Sequence, residues 1–359
     1  SPFRGWVPGK VFLRLVAAVP VMQYRLLGDT GMRVSELCFG TWRFGRETNG
    51  VTETTREEAH ELLDVAHSEG INFIDTANVY GTPNGRSERF IGDWLEDHDR
   101  EEFVLASKVY FPFDEDDPNG RGLSRKHILD QVEGTLDRLG TDYLDIYYIH
   151  RWDEHTPIEE TMRALNHLVE TGKVHYLGAS TMAAWKLVKA QLIAEMEGLA
   201  TFDVTQPLHH AGYYEDVAGY LDVCADQGLA VCNYSPLAGG FLTGKYKRAD
   251  PEDPEAVVAP DDARGSFDDL FGDYYASERG WEVPAEVRNV AGEVNSTPAQ
   301  VALRWLMDWD EFVCIPIVGA RTPDQLRENV ATTEVSLSDD QWDRIMDARY
   351  RPDGELWGH

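Results

Sequence analysis

Asp75, Lys108, His150, Ser180, Gln206 and Tyr234 each finish a short apolar run in a chain of 359 residues. All six are types that move protons or make directed hydrogen bonds. One such residue alone reads as a cap or a satisfied rim group, but six at equivalent places in successive runs should converge on one face. Asp75, Lys108 and His150 close the second, third and fourth runs, and Tyr80 follows Asp75 closely. Where a reaction leaves charge on an oxygen, a proton donor must stand beside that oxygen as the charge develops. Tyr80 can donate. A free phenol titrates near pH 10, so a neighbouring cation such as Lys108 favours phenolate character, while Asp75 holds the ammonium in place. His150 offers a second hydrogen bond to orient that oxygen and stabilise its developing charge. The plainer alternatives are a structural Asp75–Lys108 ion pair and a Tyr80 ring packed in a loop.

The elements that must position these groups alternate regularly. Apolar runs at 36–40, 71–75, 103–108, 144–150, 174–180, 202–206, 229–234 and 312–316 are separated by amphipathic stretches. Helices are expected at 55–68, 87–96, 124–139, 158–171, 183–194, 215–227, 298–307 and 323–332. Strands alternating with helices pair in parallel through right-handed crossovers, and eight units close into a single α/β (β/α)8 TIM barrel, with a doubly wound sheet as the alternative. In a barrel the site forms at the C-terminal strand ends, where the six polar groups fall. Segments 24–27 and 34–37 flank Gly28-Asp29-Thr30-Gly31, a hairpin signal suited to capping the barrel floor. After the seventh run, 245–281 is a long polar stretch with Pro251, Pro254 and Pro260, read as a functional or mobile loop. Residues 1–21 read as an N-terminal extension and 22–359 as one domain.

Ile74-Asp75-Thr76-Ala77-Asn78-Val79-Tyr80-Gly81 resembles the signature of the aldo-keto reductase family, in particular its aryl-alcohol dehydrogenase-like members. Further motifs fall in family order: Ala106-Ser107-Lys108, Tyr148-Ile149-His150-Arg151-Trp152-Asp153, Gly178-Ala179-Ser180, Tyr234-Ser235-Pro236-Leu237, Gly244-Lys245-Tyr246, and Gly319-Ala320-Arg321 through Gln325 to Glu328-Asn329. The resemblance covers residues 22 to 348. It implies a catalytic tetrad of Asp75, Tyr80, Lys108 and His150, and a nicotinamide cofactor bound without a Rossmann fold. Tyr234 resembles the ring that stacks on the nicotinamide, and Ser180 and Gln206 the pair that holds its carboxamide. Gly40, Thr41, Trp42, Ser235, Pro236, Leu237 and Gly319 fall in the cofactor's surroundings by the same resemblance. Gln325, Glu328 and Asn329 resemble the adenine-facing set, or form a solvated helix face.

Other cofactor features are legible from the residues themselves. Gly239 and Gly240 let the backbone approach a pyrophosphate, or make a plain turn, with Lys245 adding charge and a helix starting near Thr322 offering free N–H groups. Arg321 at that helix start suits a 2′-phosphate, so NADPH/NADP is expected in preference to NAD. The segment Pro207-Leu208-His209-His210 departs from the family pattern, as does Thr181 after Ser180. Adjacent His209 and His210 on a strand point to opposite faces and no third ligand is evident, so no metal is expected. Trp42, Tyr110, Phe111, Trp152 and Tyr213 either line an aromatic pocket or pack at the rim.

Composition sets the class of partner. With 33 Lys+Arg against 63 Asp+Glu the formal charge is −30, which disfavours nucleic acid and anionic membranes. A small carbonyl or alcohol substrate is what the resemblance implies. Twenty-five of the cations are Arg. An acidic surface with little Lys suits a cytoplasm at molar salt, where screening suppresses self-repulsion. No 18-residue apolar span is present. Cys38, Cys224, Cys232 and Cys314 form no CxxC and are expected as buried thiols. The leading reading is an NADPH-dependent carbonyl reductase. Against it stand a cofactor-sensing regulatory subunit of the potassium-channel β type and a barrel hydrolase with paired carboxylates, the latter weakened because Asp75 is matched with Lys108.

Overall fold

The computed structural model describes residues 22–213, 217–250, 253–258 and 279–348. The expected extension at 1–21 and the stretch 259–278 of the expected loop lie outside the described residues.

Eight strands build the central sheet: β3 (Cys38–Gly40), β6 (Phe73–Asp75), β7 (Val104–Val109), β8 (Leu144–Ile149), β9 (Val174–Ser180), β10 (Phe202–Gln206), β11 (Ala230–Val231) and β14 (Ile317–Val318). They lie in the order β11-β10-β9-β8-β7-β6-β3-β14, every pair parallel. The two ends meet. Val231 N donates to Val313 O at 2.8 Å and Ile315 N to Val231 O at 2.8 Å, which closes the sheet on itself as the expected (β/α)8 barrel. Helices α1 (Arg56–Ser68), α2 (Arg86–Leu95), α3 (Arg125–Leu139), α4 (Ile158–Glu170), α5 (Ala184–Glu197), α6 (Ala218–Asp226), α7 (Glu282–Glu293), α8 (Pro298–Met307), α9 (Pro323–Val330) and α10 (Asp339–Asp347) surround or flank it.

Helix starts follow from side-chain oxygens that take up free backbone N–H groups. Thr55, Thr297 and Ser338 form reciprocal capping boxes with Glu58, Gln300 and Gln341, and Ser124 and Thr322 accept from His127 N and Gln325 N. The core has two parts. Phe73, Ala106, Ile146, Tyr148, Val204 and Cys232 fill the barrel, while a larger shell lies between sheet and helices. The hairpin β1 (Tyr24–Leu26) and β2 (Arg33–Ser35) puts Leu27 and Val34 into the inner cluster, and so plugs the floor as expected. All four cysteines are buried and free.

Three expectations need correction. The eighth strand pairs on both sides of Pro316 and ends at Val318, whereas the apolar run was read as stopping at that proline. Pro316 lacks an N–H but its carbonyl still accepts from Cys38 N at 3.0 Å, so the ladder passes through it. Part of the stretch read as a loop forms the antiparallel pair β12 (Lys247–Asp250) and β13 (Asp253–Val258). Helices α7 and α10 were not anticipated. Among the described residues no helix is long and apolar enough to cross a membrane.

Candidate active site

The C-terminal ends of the barrel strands carry the polar groups. Asp75, Ser180 and Gln206 are the last residues of β6, β9 and β10, Lys108 is next to last in β7, and His150 directly follows β8. Tyr80 stands in the loop between β6 and α2, held by Tyr80 N to Ala77 O at 3.0 Å and Ser87 N to Tyr80 O at 3.1 Å. These groups meet in space. Lys108 Nζ lies 2.6 Å from Asp75 Oδ1, 2.8 Å from Thr76 O and 3.2 Å from the Tyr80 hydroxyl. The Tyr80 and His150 rings meet edge to face at 5.9 Å. Lys108 is fully buried and Asp75 3% exposed. Such a buried pair is kept only because each ion is fully satisfied.

Gln206 completes that satisfaction, its Nε2 donating to Asp75 Oδ2 at 2.8 Å. This fixes the amide orientation, since a carboxylate only accepts, and leaves Gln206 Oε1 as an acceptor. The Ser180 hydroxyl donates to Gln206 O at 2.8 Å and lies 3.1 Å from the Thr181 hydroxyl.

Protonation follows from burial and charge. Burial lifts the Tyr80 phenol above its ordinary value, and Lys108 pulls it down without overcoming that. The expected phenolate character is therefore not the net result: Tyr80 is held as an acid. Burial likewise opposes the Lys108 ammonium, but Asp75 and Tyr80 outweigh it and its pKa is raised. His150 is pushed well below its usual range by burial, then by Lys108 and Arg151, and is neutral.

A cavity of about 760 Å³ opens over this cluster. Asp75, Tyr80 and His150 line it, while Lys108 sits behind them. Of the residues expected around a cofactor, Gly40, Trp42, Ser180, Gln206, Tyr234, Ser235, Pro236, Leu237, Gly239, Lys245, Gly319, Arg321, Gln325, Glu328 and Asn329 all line it. Thr41 does not. It is fully buried behind the wall, where its hydroxyl donates to Asp75 O at 3.0 Å and accepts from Ser87 Oγ at 2.9 Å.

Along one flank the chain turns repeatedly through positive φ, at Ser235 (53°), Ala238 (51°), Gly239 (63°) and Gly240 (96°). A Cβ on Gly240 would come within 2.5 Å of Lys245 Cε and 2.7 Å of its Nζ, so only glycine lets Lys245 lie across that backbone. At the far end α9 presents its N-terminus, with Arg321 N donating to Gln325 Oε1 at 2.9 Å and Asn329 Nδ2 to Gly319 O at 3.4 Å.

Trp42 and Phe111 line the opposite side, whereas Tyr110, Trp152 and Tyr213 are not on the cavity wall. Trp152 instead faces a separate hollow of about 350 Å³ with Trp185. Reasoning from sequence missed Arg43, Val79, Arg151, Thr243, Ala299, Ile317, Val318 and Ala320 as lining residues. Arg151 had a signal, directly following a strand-end group; Arg43 and Thr243 had none. His209 and His210 are both fully buried, His209 against Trp305 and His210 beside Tyr213. Burial, then His209, pushes His210 down to about 3.

The arrangement is one protonated phenol and one neutral imidazole at the foot of a cleft, backed by a buried cation. Residues 36–349 match the Aldo/keto reductase family. An uncharacterized oxidoreductase of Bacillus subtilis, YrpG, is 36% identical, covering 93% of this chain and 98% of its own. Versiconal hemiacetal acetate reductase of Aspergillus parasiticus is 33% identical over 89% of this chain and 95% of its own. A protein of Arabidopsis thaliana named as a voltage-gated potassium channel subunit beta is 32% identical over 88% and 92%. The chain belongs to the aldo/keto reductase family.

Proposed function

We propose that this oxidoreductase uses NADPH to reduce aldehydes or ketones to alcohols, with Tyr80 as the proton donor and the reverse oxidation open to it. The Tyr80 hydroxyl carries the reading. It stands at hydrogen-bond distance from a fully buried ammonium, beside neutral His150, on the wall of a cavity, with a pKa raised by burial. It is therefore protonated, as a proton donor must be, and Lys108 draws its pKa back against the rise that burial causes.

A nicotinamide dinucleotide, when bound, supplies the hydride. The residues present fit it. Gln206 Oε1 is left to accept from a carboxamide, Ser180 lies beside it, and Tyr234 offers a ring at the same wall. The glycine turn at 239–240 brings backbone and Lys245 close to one another, a suitable cradle for a pyrophosphate. Arg321, at the start of α9, is suited to a 2′-phosphate, with Gln325, Glu328 and Asn329 on the helix behind it. Lys108 polarises the Tyr80 hydroxyl, Asp75 holds Lys108, and His150 orients the carbonyl. Trp42 and Phe111 favour an aromatic substrate.

The formal charge of −30 supports a cytoplasmic protein adapted to concentrated salt. We also treat 22–359 as one functional unit.

The likeness to the Arabidopsis protein, named for a potassium channel subunit beta, favours a second reading, a cofactor-sensing regulatory subunit. An aldehyde and ketone panel, followed by NADPH absorbance at high salt, separates the two. The reductase reading expects turnover of at least one member. NADPH binding without consumption across the panel would favour the regulatory subunit.

A further inference from the structure

Arg151 lines the substrate side of the cavity, is exposed, and makes no ion pair among the described residues. The carboxylates that follow it are committed elsewhere. Asp153 accepts from Leu123 N at 2.8 Å, His155 N at 2.9 Å and the Thr156 hydroxyl at 2.7 Å, and Glu154 pairs with Lys186. Arg43, the other guanidinium on this side, is paired with Glu53 at 2.8 Å, a carboxylate it shares with Arg46 at 3.3 Å. In a chain of net charge −30, an arginine at the mouth of a cleft with no acid paired to it among the described residues is a local positive centre.

Its place relative to the reacting groups is defined by two aromatic contacts. The His150 ring meets Phe111 edge to face at 4.9 Å, and the Arg151 guanidinium lies 5.8 Å from the Phe111 centroid. The imidazole that would orient a carbonyl and the Arg151 guanidinium are therefore both in contact with one ring on the cavity wall. A planar guanidinium prefers a carboxylate, which it can grip with two parallel hydrogen bonds.

We propose that Arg151 is a specificity residue that selects carbonyl substrates carrying a carboxylate roughly one aromatic ring beyond the reacting carbon. The proposal rests on the reductase reading and deepens it. Phe111 supplies the face against which the substrate's ring packs, and Arg151 fixes the far end.

The test compares 4-formylbenzoate with its methyl ester, which share ring and aldehyde and differ in charge. Two readouts are taken: kcat/KM with NADPH, and the calorimetric Kd with NADP present, where no reduction occurs. The wild type should favour the carboxylate about tenfold in both, the lower end of what a charge-assisted contact gives at an exposed site. Arg151→Gln should collapse that ratio, and Arg151→Lys should keep part of it. No preference in the wild type, or a ratio unchanged in Arg151→Gln, overturns the proposal. If neither aldehyde is consumed, the Kd ratio still decides the role of Arg151, and the reductase reading is decided separately by the wider carbonyl panel.

Discussion

The buried ammonium of Lys108 faces three oxygens at once, and their balance sets the chemistry of Tyr80. Replacing it with Met removes the one group that pulls the phenol's pKa down and leaves Asp75 buried with Gln206 as its remaining side-chain partner. Lys108→Met should therefore slow turnover and move the alkaline limb of the pH–rate profile to higher pH, since the phenol stays protonated longer. Stability should fall by about 3–5 kcal/mol, the usual result of stranding one member of a buried pair. A variant slowed equally at every pH would remove Lys108 from this role. His150 is neutral well below pH 7, so no limb of the profile near that pH should be assigned to it. Asp75, Lys108 and His150 were legible in sequence because their types fall at equivalent strand ends, and Tyr80 because it follows Asp75 within the stretch that resembles the family signature. The net direction of the Tyr80 shift was not, because burial outweighs Lys108 and no spacing reveals how deeply a loop residue is enclosed.

In the proposed reading helix α9 fixes the cofactor preference. Thr322 caps it, Pro323 opens it, and Arg321 precedes it, with Arg321 and Gln325 both on the cavity wall. Arg321→Ala should weaken NADPH binding about 10–150-fold and NADH binding far less, because only NADPH carries the phosphate that a bidentate guanidinium would hold. Equal losses, measured by cofactor titration, would contradict the assignment. Strand β10 carries a second consequence. Burial pushes its Asp203 up to about 6, against a hydrogen bond from Leu177 N at 3.1 Å. A carboxyl whose folded pKa is raised stabilises the fold below its unfolded pKa and loses that contribution as pH rises through 6. Asp203→Asn keeps an acceptor for Leu177 without the charge, so its melting midpoint should exceed that of the wild type by about 1–3 °C at pH 8 and match it near pH 4. A higher midpoint at both pH values would contradict this. Most strands and helices were legible because apolar runs and cap residues sit at their ends. The eighth strand was misplaced because Pro316 reads as a stop, yet its carbonyl remains in the ladder. Helix α10 was missed because it buries little: Ile345 is its one fully buried apolar side chain.

At the scale of the whole molecule, charge and barrel act separately. Sixty-three acidic residues face 33 cations, and ion pairs such as Arg163–Glu197 and Arg56–Asp93 are exposed and contribute little. Raising KCl from about 0.1 to 3 M should raise the melting midpoint by relieving repulsion, while the KM for NADPH increases modestly through screening of Lys245 and Arg321. A midpoint that is flat or falls would remove the adaptation to salt and leave the site untouched. In the proposed reading the barrel makes a proton donor out of residues that lie far apart in sequence, and that proposal rests most directly on Tyr80. The decisive measurement is the turnover and NADPH affinity of Tyr80→Phe beside the wild type. Loss of the hydroxyl should reduce kcat about 10²–10⁴-fold with cofactor affinity nearly unchanged, because the ring is kept and only the transition state loses its donor. Wild-type turnover in Tyr80→Phe would contradict the account.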